Sequence, residues 1–267
     1  MIRDITIGQY YPAKSVLHRL DPRVKLVGTL LYLISLFLFN SIPGYVMTTL
    51  FLIIIIKMSR VPFSFIVRGL KPVIMLLMIT VLFNLFLTRD GAVLFHAWIF
   101  TITEGGLRTA VYMAIRLIYL IIGSSLMTFT TTPNELTDGI EELLGPLNKI
   151  HVPVHEIAMM MSIALRFIPI LLEETDKIMK AQIARGADFE SGNILQRAKA
   201  MIPILVPLFV SAFRRANDLA MAMEARCYRG GTGRTKMKPL KYASIDYRAY
   251  VIVILYFVIM MVLRFAL

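Results

Sequence analysis

Apolar residues come in long blocks along this chain, and the breaks between blocks set out its elements. Leu26 to Ile56 is 31 residues without a charge. At about 1.5 Å per residue that run is too long for one span of a roughly 30 Å hydrocarbon core. The polar break NSIPG at 40–44 therefore predicts a hairpin of two short apolar helices. Asp21-Pro22 suits the start of the first, because Asp accepts from orphan amides and Pro fits the first helical position. Basic residues Lys57, Arg60, Arg68 and Lys71 then precede PVIMLLMITVLFNLFL at 72–87, a third span. Residues 88–107 read as a loop whose half-apolar VLFHAWIF lies at the membrane interface, and a fourth span covers about 109–130. YVIVILYFVIMMVLRFAL at the end is a fifth.

The pattern changes between 131 and 248, where charge and apolar positions alternate at helical spacing. TPNELTDGIEELLGPLNK predicts a helix opened by a Thr132/Glu135 capping box with Pro133 at its first position, and ended by Gly145-Pro146. Leu136, Ile140, Leu143 and Leu144 share one of its faces. A second helix, about 154–184 with a kink near Pro169, carries the stripe Ile168, Leu171, Leu172, Thr175, Met179 and Ile183. Glu173/Lys177 and Asp176/Lys180 make ordered i,i+4 pairs opposite it. A third, about 201–227, carries Phe209, Ala212, Phe213, Ala216, Leu219, Ala220, Met223 and Cys227.

With 57% hydrophobic residues and only 17% charged, against the roughly 25% usual for soluble domains, the chain is an all-α integral membrane protein. The polar opening has neither an apolar core nor a cleavage site, so it is expected to be retained. The net charge of +12 does not point to nucleic acid. Residues 1–130 hold 12 Lys/Arg against 4 Asp/Glu, mostly beside the spans, where such charge sets topology. The positive-inside rule puts the N-terminus, the 57–71 loop and residues 131–248 in the cytoplasm. Three regions follow: a four-span membrane domain at 1–130, a cytoplasmic or interfacial helical domain at 131–248, and a C-terminal transmembrane helix at 249–267. Arg116 lies inside the fourth span and is read either as a helix or partner contact, or as an arginine reaching headgroups.

Much chemistry is missing. One cysteine, Cys227, excludes an internal disulfide and zinc sites built on paired cysteines. His151 and His155 flank Pro153, which argues against a shared helical face. No GxxxxGK[ST], GxSxG or HExxH occurs, and GGTGRTK at 230–236 has the wrong spacing for a phosphate loop. Glu141/Glu142 and Glu173/Glu174 read as solvated charge. A stand-alone intramembrane enzyme or secondary carrier remains as the rival class, with little to supply its catalytic or substrate groups.

Two stretches stand out. AQIARGADFE at 181–190 and AMEARCYRGG at 222–231 each place a small residue and an arginine where a long helix ends. Arginine there interacts favourably with the helix dipole and offers a planar fork of donors to a partner. Methionines in HEIAMMMSIALRF, namely Met159, Met160 and Met161, fit either a gap-filled core or a surface that repacks against changing partners.

Those residues carry a resemblance. The opening GQYYPAKSVLHRLDPRVKL, with ARG at 184–186 and ARC at 225–227 in helical context behind several spans, resembles the transmembrane T component of energy-coupling-factor (ECF) transporters, bacterial importers of vitamins and trace metal ions. The resemblance implies coupling helices, two of which cross. It further implies that Ala184, Arg185 and Gly186, and likewise Ala225, Arg226 and Cys227, dock into two ATP-binding cassette subunits, A and A'. ATP and magnesium would then sit on those partners and no cofactor on this chain. A membrane S component carrying the substrate would rest on the coupling helices, with Met159, Met160, Met161, Leu136 and Ile140 as contacts. Cys227 stands where the first motif has glycine, which leaves the turn after the second helix open.

Overall fold

The computed structural model describes residues 10–88, 92–97, 100–189, 193–231 and 235–266. Nine α-helices lie among them: α1 (Pro22–Leu38), α2 (Ile42–Ser59), α3 (Phe63–Leu70), α4 (Ile74–Leu87), α5 (Glu104–Thr130), α6 (Pro133–Leu144), α7 (Val154–Ala184), α8 (Ile194–Ala225) and α9 (Ser244–Ala266). A small antiparallel hairpin, β1 (Val93–Ala97) and β2 (Phe100–Thr103), stands where the sequence reading had a loop. Its β-branched and aromatic run favours extended backbone. The all-α integral membrane architecture holds around it. The described residues divide into two compact units, one drawn from Gly8–Ile140 with Leu240–Leu267 and the other from Glu141–Pro239.

In the first unit the expected starts and stops are present. Asp21 accepts from the Arg23 amide with Pro22 at the first helical position, and α1 ends two residues before the NSIPG break is crossed into α2. Thr132 and Glu135 complete their reciprocal capping box at 3.1 and 3.3 Å. α5 begins earlier than sequence alone indicated, because the Thr103 hydroxyl accepts from the Gly106 amide and caps it.

Helix directions follow from the side-chain contacts. Asp246 accepts from the Asp21 amide at 2.8 Å, and Ser35 and Tyr256 share a hydrogen bond at 3.1 Å farther along, so α1 and α9 run parallel. Lys25 donates to the Thr130 carbonyl at 2.8 Å and Tyr32 to the Tyr119 carbonyl at 3.1 Å, so α5 runs opposite to α1. α5 therefore ends at the level where α9 begins. Between them α6, α7 and α8 can cross a bilayer only an even number of times.

This unit holds a core of Tyr32, Leu36, Phe39, Tyr45, Leu52, Val61, Ile66, Leu126, Phe129, Tyr256 and Met260. In it the Tyr256 hydroxyl meets both Ser35 and Thr48, at 3.1 and 3.2 Å, while its ring stacks on Phe51 at 4.1 Å. Unpaired polar groups are costly in hydrocarbon, so this network fixes α1, α2 and α9 together. Arg116 proves to be a helix contact. Its guanidinium donates to the Phe39 carbonyl at 3.0 Å and to Asn40, closing the C-terminal end of α1.

Six helical stretches among the described residues are long and apolar enough to cross a membrane: Ile42–Ser59, Phe63–Phe86, Glu104–Thr130, Val154–Ala184, Leu195–Ala225 and Ser244–Phe265. α1, with 17 residues, is about 25 Å long. α1 falls outside that set, so four of the five expected spans are among the six, and the other two are α7 and α8, which the sequence pattern places in the cytoplasm. Both helices combine an apolar stretch with a charged one. In α7 the charges crowd into Glu173–Lys180, and in α8 an uncharged run from 200 to 213 is followed by Arg214, Arg215 and Asp218.

Candidate functional site: two matched helix tips

Within the second unit α7 and α8 pack as an antiparallel pair. Gln182 Nε2 donates to the Pro203 carbonyl at 3.4 Å, and Arg215 Nη2 pairs with Glu174 Oε2 at 3.2 Å. The contacts are eight residues apart on α7 and twelve on α8. α8 starts at Ile194, earlier than expected, behind a capping box of Asn193 and Gln196, and it accommodates Pro203 and Pro207.

The pairing also sets the apolar halves out of register. The uncharged run 200–213 of α8 lies alongside the charged end of α7, from Glu174 to Gln182. The apolar start of α7 correspondingly faces away from it along the pair.

Each helix ends in the same way. α7 stops at Ala184, Arg185 follows with φ −87° and ψ 3°, and Gly186 turns left-handed at φ 88°. α8 stops at Ala225, Arg226 follows with φ −93° and ψ 14°, and Cys227 turns left-handed at φ 56°. The hydrogen bonds match too. Gly186 and Ala187 donate to Ile183 and Gln182 at 2.9 and 3.0 Å, and Cys227 and Tyr228 donate to Glu224 and Met223 at 2.8 and 3.0 Å. These are two Schellman turns, which satisfy the last helical carbonyls. The turn after the second helix, left open by Cys227, is thus the same turn as the first. Holding a β-carbon in the left-handed region costs about 1–2 kcal/mol, which glycine escapes.

All six residues of the two tips are exposed, and neither Arg185 nor Arg226 has a salt bridge among the described residues. Opposite helix directions keep the tips apart. From the level of Pro203, beside Gln182, to Arg226 is about 35 Å of helix.

Sequence reading missed what anchors the second tip. Beyond Arg226 the chain returns along the start of α7: Gly231 lies so close to His155 that a β-carbon there would clash with the ring. Lys236 donates to Glu141 at 2.8 Å, and His155 Nδ1 bonds the other oxygen of Glu141 at 2.9 Å. Glu141 is therefore no solvated charge. Burial pushes its carboxyl up, but hydrogen bonds from Lys236 and His155 outweigh that and hold it below its ordinary value. His151 precedes α7 in a left-handed turn and shares no helical face with His155. Part of GGTGRTK, residues 232–234, lies outside the described residues. The signal for this latch was the Glu141/Glu142 pair facing a Gly-Gly and Lys236 some 95 positions on, a separation no periodicity reveals.

Of the other named contacts, Met160 and Met161 are exposed on α7 and Met159 is half-buried, as are Leu136 and Ile140 on α6.

Comparisons with known proteins agree on one family. A family profile described as cobalt transport protein (CbiQ) matches residues 13–237. The energy-coupling factor transporter transmembrane protein EcfT of Clostridium kluyveri is 58% identical over 250 residues, covering 93% of both chains. Its namesake in Acidaminococcus fermentans is 52% identical over 264 residues, 99% of this chain and 98% of its own. That of Bacillus subtilis is 51% identical over 246 residues, 92% and 93%. With the apolar helices and the end-to-end similarity together, this chain belongs to the energy-coupling factor transporter transmembrane protein family.

Proposed function

We propose that this transmembrane component is the scaffold through which two cytoplasmic ATPase subunits drive uptake of a vitamin or other micronutrient, carried by a separate membrane S component. The observation that carries the reading is the pair of matched, exposed arginine tips at opposite ends of the α7/α8 pair. Two like tips about 35 Å of helix apart suit two like partners, so each tip takes its own ATPase, and ATP and magnesium belong to those partners.

Two further observations support placing α7 and α8 on the cytoplasmic face rather than across the bilayer. A spanning α7/α8 hairpin would expose Arg185 and Arg226 on opposite sides of the membrane, where no single pair of ATPases could reach both. It would also bring the charged end of α7 beside the apolar run of α8, leaving no shared apolar band of about 30 Å. Lying at the surface, α8 offers a broad apolar face that includes Phe209 and Phe213, 66% and 58% exposed. Contiguous apolar surface of that kind marks an interaction site, and it fits the S component. ATP-driven closure of the ATPases would move the tips relative to each other, and the crossed helices would pass that motion to the S component.

The test is uptake in cells carrying Arg185→Ala with Arg226→Ala. Loss of uptake and of co-purifying ATPase subunits, with normal membrane insertion, is the expected result. Wild-type uptake by the double variant would refute the reading.

A further inference from the structure

A cavity in the membrane unit, remote in function from the arginine tips, is lined by two other arginines. Asn40, Arg108, Thr109, Tyr112, Met113 and Arg116 enclose about 290 Å³. Arg108, Tyr112 and Arg116 follow one another at four-residue steps and so line one face of α5. The cavity sits where α1 ends and α2 begins, the opposite end of this unit from Lys25 and Thr130.

Neither guanidinium has a carboxylate partner among the described residues. Arg108 Nε reaches only the Tyr112 hydroxyl, at 3.4 Å, with its guanidinium 5.4 Å from the Tyr112 ring. Arg116 spends Nη2 on Phe39, Asn40 and Tyr45, while its Nε is buried without a hydrogen-bond partner. A buried donor on a cation is expensive to leave unmet, and arginine's planar fork is matched to the oxygens of a phosphate. Intramembrane charge ordinarily finds a counter-charge. Here the described residues supply none.

We propose that Arg108 and Arg116 bind the phosphate of an anionic phospholipid headgroup. Phosphate chemistry alone would also admit a soluble ester, but the surroundings favour lipid. Phe37, Leu107 and Val111 flank the arginines and are 65%, 45% and 47% exposed, an apolar surface suited to acyl chains. The volume is at the bottom of the range of about 300–1,000 Å³ usual for small-molecule sites, enough for a headgroup with its chains left outside. Thr109 and Asn40 add neutral polar groups at the rim. The bound lipid would then tie the α1–α2 turn to α5.

The experiment uses the full chain in detergent, stripped of lipid and then offered phosphatidylglycerol or phosphatidylcholine, with retained lipid read by native mass spectrometry. Wild type should retain phosphatidylglycerol in preference to phosphatidylcholine. Arg108→Gln, which leaves the Arg116 bonds to α1 in place, should weaken phosphatidylglycerol retention about fivefold, the effect of one unit charge near a lipid surface. Arg108→Lys should restore part of it. Unchanged retention in folded Arg108→Gln overturns the proposal. Glycerol phosphate that displaces the lipid at equal concentration would reassign the site to a soluble ester. Unchanged lipid retention with weakened co-purification of a partner chain would make it a protein contact instead.

Discussion

The two helix tips are the same structure built from different residues, and the difference separates what the turn needs from what a particular side chain adds. At the first, Gly186 takes the left-handed position without strain, and the chain proceeds to the capping box that starts α8. At the second, Cys227 takes that position with a β-carbon, and the following chain is tied back to α6 and α7 through Lys236, Glu141 and His155. What both keep is an alanine on the last helical turn, an exposed arginine at the cap, and the same pair of closing hydrogen bonds. The third residue is constrained only by conformation. A strained turn can be kept where neighbouring contacts determine the backbone, and the latch is such a contact.

The largest expected effect tests whether the tips are equivalent. Arginine anchors at interfaces commonly contribute about 2 kcal/mol or more, or roughly 30-fold each. Sites this far apart should act additively, so the double alanine variant should lose affinity for the ATPases by about 1,000-fold. Titration of purified ATPase subunits against single and double variants checks this. Equal single losses that multiply establish two independent docking points, whereas a double variant no worse than either single one shows that one tip dominates.

Next comes the turn itself. Gly186→Ala forces a β-carbon into a left-handed position and should destabilise the end of α7 by about 1–2 kcal/mol. Cys227→Ala changes a residue that already has a β-carbon and should cost only a few tenths. Hydrogen exchange at the closing amides reads both: about tenfold faster at Gly186 and Ala187 in the first variant, and little change at Cys227 and Tyr228 in the second. The same loss at both tips would mean that the Cys227 thiol, not the backbone, holds the second turn.

Breaking the latch should affect one tip alone. Glu141→Gln removes the charge shared by Lys236 and His155 and should cost about 1 kcal/mol, a modest figure because the cluster is partly open to solvent. Proteolysis between 228 and 239 should quicken while the 185–189 segment is unaffected. The pH dependence has a definite sign. Because the folded state lowers the carboxyl below its ordinary 4.5, the stabilisation is complete above 4.5 and is lost as pH falls through the depressed value. Protection from protease should therefore be flat at neutral pH and fall in acid, and the Gln variant should lack that dependence.

Sequence pattern disclosed most of the elements because their signals are local. Asp21-Pro22, Thr132 with Glu135, and the NSIPG break act over a few residues, and each stands where it was expected. The arginine tips were also legible, since a small residue, an arginine and a helix end are neighbours in the chain. What stayed hidden depends on distant pairing. Arg116 meets the end of α1 some 76 residues away, and the Asp21–Asp246 bond joins α1 to α9 across 225 positions. The stagger of α7 against α8 was hidden for the same reason: composition registers how apolar each helix is but not which half lies beside which.

The smallest effect is the most discriminating. Cys227→Gly makes the second tip identical to the first at the turn, relieving the left-handed strain but adding the backbone entropy that glycine loses on folding, roughly 0.5–1 kcal/mol. These terms nearly cancel, so the net change should be a few tenths of a kcal/mol, with uptake preserved. A maleimide on the exposed Cys227 should do the opposite: it leaves the backbone sequence alone but places bulk beside Arg226. Labelling should abolish docking at the second tip only, and a docked ATPase should protect the thiol. If labelled protein binds both subunits as wild type does, the surface around Arg226 is not the docking face, and the two tips are alike in geometry but not in use.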